Sequence, residues 1–336
     1  MSTPTTALAP TTTDAVARPA QPEYADLDRW RRYQSFFPES MRSRDASTTP
    51  DEERWSWRGL DVHIDRLGDE QATLKVIVLH GAGAYGRIMA PVSVIAQQHG
   101  YATVAPDLPG YGLTEVPWAQ MDYGLWVDCV CDLIDREVAR DGLPIVLFGV
   151  SLGGLLAYQV AARHDAVRGV IATTLLDPRE TDARQDLSRF RFLGSAGFWF
   201  LESFRGLTDR LPLPMAYMTK MHGISNDPEL AALCASDRMG GGNWVPAGFL
   251  RTLMTQDPAM EPEAFDRCPI LLVHPGADRM TDISLSRRFF DRLACDKRMV
   301  VLEGTSHMPT EPVGLEQLQS AVLDFLDAIT GDLEPS

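Results

Sequence analysis

The chain has 336 residues, 45% of them hydrophobic, with 46 acidic against 31 basic residues and a net charge of −15, enough for one large α/β domain with an insertion. That balance argues against nucleic acid and against charge-driven docking on anionic lipid. Five cysteines, odd and scattered, fit a reducing compartment; no apolar run approaches the roughly 20 residues of a membrane span and no secretory signal opens the chain, so a cytoplasmic location is expected.

Residues 1–22 are built from Thr, Ala and Pro. Such a segment cannot bury enough surface to offset its ordering entropy, and a disordered tail is expected. The spacing of Trp30, Tyr33, Phe36 and Phe37 then fits one face of a short helix packed on the body. Trp55, Trp57 and the alternation Leu60-Asp61-Val62-His63-Ile64-Asp65 predict an opening hairpin, with His63 on its solvent face.

The apolar run 74–79 predicts a buried strand that ends in His80-Gly81-Ala82-Gly83. A flexible loop there can aim a backbone N–H at a reacting centre. Ala82 is taken as that donor, with Gly83 as the nearby alternative, and Gly81 and Gly83 are expected to contact substrate. The same stretch, Gly81-Ala82-Gly83-Ala84-Tyr85-Gly86, is also a literal G-x-G-x-x-G, with Asp107 where a ribose-binding acid belongs. Against a dinucleotide site stand the bulky His80 at the turn and the turn sequence Leu108-Pro109-Gly110 straight after Asp107. No cofactor is expected. Cys129-Val130-Cys131 lies inside a helical pattern and reads as core; without H-E-x-x-H or paired C-x-x-C, no metal is expected either.

Residues 144–148 predict a strand running into Gly149-Val150-Ser151-Leu152-Gly153, with a helix-forming stretch behind it. G-x-S-x-G at a strand-to-helix turn pushes the serine Oγ clear of the backbone, and small residues leave room for the turn. Leu152 N–H becomes a second donor to developing negative charge. A further strand is expected over 170–176. Residues 178–267 form a punctuated helical insertion carrying Phe198, Trp199, Phe200, Leu201 and Phe204, then Met215, Met218, Met221 and Met239. Any one of these reads first as ordinary core. As a set they predict a cap walling an apolar pocket. Gly240-Gly241-Gly242 reads as a hinge or a close approach of backbone to substrate.

The buried run 268–274 ends near Asp278, and the run 298–302 ends near His307 and Pro309. Ser151, Asp278 and His307 therefore sit on three loops after strands, where chemistry gathers in open α/β sheets. His307 would take the Ser151 proton, and Asp278 would hold the imidazole. His274 is the rival base. Asp282 is a second candidate acid, or the cap of a helix over 283–293. His99 and His164 fall near helix ends and read as structural. Residues 315–326 predict a final covering helix.

On these motifs the chain resembles the serine hydrolases of the α/β-hydrolase superfamily over roughly residues 55–330. The His80–Gly83 loop and the Ser151 elbow are similar to the monoacylglycerol lipase and lysophospholipase branch; Asp107-Leu108-Pro109-Gly110-Tyr111-Gly112 is similar to a segment common to many branches. The resemblance implies a mostly parallel central sheet flanked by helices, with a helical cap. The core would comprise residues 23–177 and 268–336, and the cap 178–267. It also implies a cofactor-free hydrolase for carboxylic esters of lipid alcohols, its partner a small-molecule ester with an apolar acyl chain. Some relatives carry the acid one strand earlier, which makes Asp177 a third candidate. Serine at the elbow excludes the aspartate chemistry of dehalogenases and epoxide hydrolases. A general esterase, thioesterase or amide hydrolase, and a binding protein without turnover, remain as alternatives.

Overall fold

The computed structural model describes residues 22–68 and 71–333, so the tail expected over 1–22 lies outside the described residues except for Pro22. A 3₁₀ turn and helix α1 (Asp28–Gln34) precede the hairpin β1 (Asp51–Trp57) and β2 (Leu60–Leu67). Strands and helices then alternate: β3 (Lys75–Leu79), α2 (Ala90–Gln98), β4 (Ala102–Pro106), α3 (Tyr123–Asp141), β5 (Ile145–Gly149), α4 (Leu152–Ala161) and β6 (Val167–Ala172). The chain next leaves the sheet for α5 (Thr181–Leu187), α6 (Ala196–Ser203), β7 (Pro212–Pro214), α7 (Met215–Met218), α8 (Pro228–Ser236), β8 (Trp244–Pro246) and α9 (Ala247–Thr255). It returns as β9 (Ile270–Pro275), α10 (Ile283–Arg292), β10 (Lys297–Leu302) and α11 (Pro312–Leu333).

The main sheet has the order β1-β2-β4-β3-β5-β6-β9-β10. Only the β1/β2 and β2/β4 pairings are antiparallel; the rest are parallel. Parallel strands are covered on both faces and read as continuous apolar runs, and β3 and β5 are buried at every position. Their alternate residues enter two different cores. Ile77, Leu79 and Leu147 pack with Trp126 of α3, Leu156 of α4 and Phe289 of α10. Val76, Val78 and Phe148 pack with Trp30 of α1, Ile95 of α2 and Leu318 of α11. Local signals fix the helix ends: Asp122 accepts from Leu125 N and starts α3, and Gly142 at φ 72° stops it.

Three expectations need correction. The strand expected over 170–176 begins at Val167 and ends at Ala172, with Thr173 N making one last ladder bond to Gly149 O at 3.0 Å. The insertion is not purely helical: β7 and β8 form a two-stranded antiparallel ribbon, whose Pro212, Pro214 and Pro246 are tolerated because it has no further strands.

The third correction is His63, which is fully buried rather than solvent-facing. β2 is paired on both sides, and Tyr24 from the N-terminal turn closes over its outer face, 5.0 Å from the imidazole. His63 Nε2 lies 2.8 Å from Glu52 and Nδ1 lies 3.4 Å from Asp107. Burial alone would push the imidazole pKa down, but hydrogen bonding to Asp107 and Glu52 and the charges of Asp107 and Asp65 prevail and lift it to about 9. A histidine whose folded pKa is raised contributes stability that is complete below its unfolded value, about 6.5, and lost as pH rises through the folded value. The unfolding temperature should therefore fall between about pH 6.5 and pH 9. In that range Glu52 and Asp107, both held below the usual carboxylate value, are ionised, and Asp65, lifted by burial to about 6, completes its ionisation at the lower edge. His63→Gln should flatten that fall in thermal melts taken across the range; parallel slopes for the two proteins would refute the assignment.

Candidate active site

β5 runs out at Gly149, and Ser151 takes up φ 55°, ψ −124° before α4 starts. Among the described non-glycine residues only Arg58 shares a positive φ. Such a conformation costs roughly 1–3 kcal/mol and persists only where its surroundings enforce it. Here they do. A Cβ at Gly149 would lie 2.1 Å from Gly153 O, and one at Gly153 would lie 2.2 Å from Leu79 O. Both glycines are therefore obligatory. Ser151 N–H is held by Thr173 Oγ1 at 2.8 Å.

The Asp278 carboxylate is buried. Its Oδ1 accepts from Met280 N (2.7 Å) and Thr281 N (3.1 Å), and its Oδ2 lies 2.7 Å from His307 Nδ1. Burial would raise its pKa, but the His307 charge and hydrogen bond, with the two N–H groups, hold it below the usual carboxylate value. An ionised Asp278 makes Nδ1 the donor and leaves Nε2 as the basic nitrogen. The turn carrying His307 is tied down: Ala277 N donates to Thr305 O at 2.9 Å, and Met308 N to Ile224 O at 2.8 Å.

Ser151, Leu152, Gly81, Ala82, Gly83 and His307 line one cavity of about 360 Å³. The loop after β3 rests on the elbow: a Cβ at Gly81 would stand 2.8 Å from Ser151 Cβ and 2.9 Å from Val150 O. The N–H groups of Ala82 and Leu152 have no hydrogen-bond partner among the described residues. Two residues that hold this arrangement escaped sequence reasoning. His80, read only as bulky, has Nδ1 2.8 Å from Gly81 O while Nε2 accepts from Leu108 N at 3.0 Å; burial pushes its pKa down to about 4, so it stays neutral with Nδ1 as donor. Thr173 is the other. Only the H-G-x-G pattern offered a signal, and only for His80.

Gly81→Ala should displace the loop and cost about 10²–10³ in kcat, the usual loss of an oxyanion donor, with only a small change in unfolding temperature. Wild-type kcat in the folded variant would contradict the loop's role.

The rivals go elsewhere. His274 is fully buried with Nδ1 3.0 Å from Pro275 O, and burial pushes its pKa down. Asp282 caps α10, accepting from Ser284 N at 2.8 Å. Asp177 pairs with Arg179 at 2.7 Å. His274 does not line the cavity, and the carboxylate that meets His307 is that of Asp278. Asp107 accepts from Gly86 N, Leu113 N and the Tyr24 hydroxyl, so both its oxygens are engaged. Gly86 is glycine because a Cβ there would lie 2.6 Å from Ala105 O. The G-x-G-x-x-G spacing is thereby explained by packing. Glu52, His63 and Asp65 are close enough together to hold a metal, but the Arg87 guanidinium already pairs with Glu52 and Asp65 and supplies the cation.

Met215, Met218 and Met221 line the cavity together with Phe198, Phe200 and Leu201. Met239 does not; it packs against the second core. Trp199 and Phe204 face outward, 66% and 45% exposed. The triple glycine approaches protein backbone rather than the cavity: a Cβ at Gly240 would lie 2.7 Å from Gly83 O, and one at Gly242 2.8 Å from Ala235 O.

Residues 76–317 match the model of the alpha/beta hydrolase family. The chain is 24% identical over 278 residues to the phospholipase YtpA of Bacillus subtilis, covering 81% of this chain and 98% of that protein. It is 27% identical over 281 residues to a pimeloyl-[acyl-carrier protein] methyl ester esterase of Neisseria meningitidis, covering 81% and 82%. Its fold is similar to that of a soluble variant of monoglyceride lipase from Saccharomyces cerevisiae, with TM-score 0.70 and 16% identity over 87% of this chain and 98% of that one.

Proposed function

The chain belongs to the alpha/beta hydrolase family, and we propose that it is a serine-dependent carboxylic-ester hydrolase for esters with apolar, lipid-sized chains. One observation carries this reading: a strained Ser151 and His307, whose Nδ1 lies 2.7 Å from Asp278, border the same methionine- and phenylalanine-lined cavity. In the proposed cycle His307 Nε2 takes the Oγ proton as Ser151 attacks the ester carbonyl. Ala82 and Leu152 N–H stabilise the oxyanion. His307 then protonates the departing alkoxide, leaving an acyl-enzyme. Water, deprotonated by the same nitrogen, attacks the acyl carbon, and collapse frees the acid as His307 returns that proton to the departing Ser151 oxygen. Residues 178–267 act as the cap that walls the chain-binding space, and Gly81 and Gly83 meet the substrate beside the carbonyl.

The reading is supported by a phospholipase and an ester esterase among the relatives. The five cysteines are all free thiols, consistent with a reducing, cytoplasmic setting. Among the described residues, no helix is long and apolar enough to cross a membrane. A fluorophosphonate probe tests the nucleophile, since an unlabelled wild-type protein would remove the enzyme reading and leave a binding protein. p-Nitrophenyl esters of increasing chain length test the substrate class. Turnover of octanoate should exceed that of acetate; a steep preference for acetate would leave a general esterase in its place.

A further inference from the structure

We infer that Tyr33, on the N-terminal helix α1, is a specificity-determining residue: a rigid stop at one arm of the cavity that limits how long a substrate chain can be. The inference rests on the ester-hydrolase reading above. The family match begins at residue 76, so α1 lies outside it, yet Tyr33 borders the same cavity as Ser151 and His307. It does so next to the proposed oxyanion loop. A Cβ at Gly83 would lie 3.2 Å from both Met221 and Ile224, and one at Gly241 2.9 Å from Met221 and 2.7 Å from Cys234 O. Met221, Ile224, Cys234 and Tyr33 all line the cavity, and Tyr33 meets Cys234, which makes the Gly83 side the arm in question.

What distinguishes Tyr33 from its neighbours is stiffness. Methionines line much of the cavity and repack around a ligand at small cost, whereas a ring with two torsions does not yield once its surroundings are fixed. Tyr33 is 1% exposed, and its hydroxyl lies beside Cys234 and Asp237, where burial and those neighbours push its pKa up. The helix that carries it is fastened on both sides. Upstream, the Tyr24 hydroxyl donates to Asp107 at 2.6 Å and Tyr24 N donates to Glu52 at 2.8 Å. Along the helix, Arg29 Nε is 3.6 Å from Asp237, and Arg87 lies 5.6 Å from the Trp30 ring centroid. Downstream, Phe37 is buried in the same core as α2 and α11. A chain entering this arm can displace methionines, but not a ring held by a strapped helix.

The test measures kcat/KM for two ester series, one lengthened in the acid and one in the alcohol, for wild type, Tyr33→Ala and Tyr33→Phe. In one series wild type should show a cutoff, and Tyr33→Ala should raise the ratio of beyond-cutoff to butyrate-length substrates by about tenfold or more, as a removed obstruction of methylene size or larger does. Tyr33→Phe keeps the ring and should keep the wild-type ratio. If Tyr33→Ala does not fold, as judged by its thermal transition, Tyr33→Leu carries the same expectation. A uniform loss across both series would reduce Tyr33 to packing and overturn the inference. Failure of wild type to hydrolyse any ester would instead overturn the functional reading beneath it.

Discussion

Alanine in place of Ser151 should lower ester turnover by a factor on the order of 10⁴–10⁶ and abolish fluorophosphonate labelling, with the cooperative thermal transition intact. Ser151 contributes little to packing: its N–H bond to Thr173 belongs to the backbone and survives the substitution. Alanine also keeps the strained φ of 55°, so it relieves nothing. Glycine at the same position tests the strain separately. It tolerates positive φ without a Cβ penalty, so Ser151→Gly should be as inactive as Ser151→Ala yet more stable by about 1 kcal/mol. Denaturant melts of the two variants measure that difference. Residual activity near wild type in either variant would place the nucleophile elsewhere and remove the proposed mechanism.

The parts of this molecule that were legible in the sequence are those where backbone geometry leaves no choice of residue. Gly149 and Gly153 must be glycine because a Cβ would meet carbonyl oxygens at 2.1 and 2.2 Å, and that necessity makes the elbow readable. The parallel strands were legible because burial on both faces demands uninterrupted apolar runs. His63 was misread for the complementary reason. Alternation implies one wet face, but the cover over β2 comes from Tyr24, far away in sequence, and no local pattern announces it. The same distance hides Thr173, whose role exists only because β6 runs parallel beside β5 and ends level with Gly149. The ribbon of β7 and β8 was missed because three-residue strands rich in proline carry no strand periodicity. Met239 and the triple glycine drew attention by composition, and composition does not say which way a segment faces.

The second large effect concerns the base. His307→Ala should cost several orders of magnitude in kcat, because among the described residues the only other titratable side chains lining the cavity, Tyr33 and Cys234, are not bases at neutral pH. The competing assignment is explicit: a loss below about tenfold would transfer the role to His274. The structure gives reasons to expect otherwise. His274 has Nδ1 turned to its neighbour's carbonyl, and burial disfavours its protonated form, so it cannot readily store the proton that the acyl-transfer step hands over. His307 is set against a carboxylate held below its usual pKa by the imidazole and two backbone N–H groups. Asp278→Asn separates geometry from charge. The amide nearly matches the carboxylate in shape, but its NH₂ can donate to Nδ1, which would place the imidazole proton on Nε2 and leave no base facing the serine. A loss of about 10⁴ in kcat is expected from that tautomer change alone, with the fold preserved. Asp282→Asn, at a helix cap that touches neither residue of the pair, should cost a few tenths to about 1 kcal/mol of stability and little rate. If the two variants exchanged these outcomes, Asp282 would be the acid and the 2.7 Å contact between Asp278 and His307 would be structural.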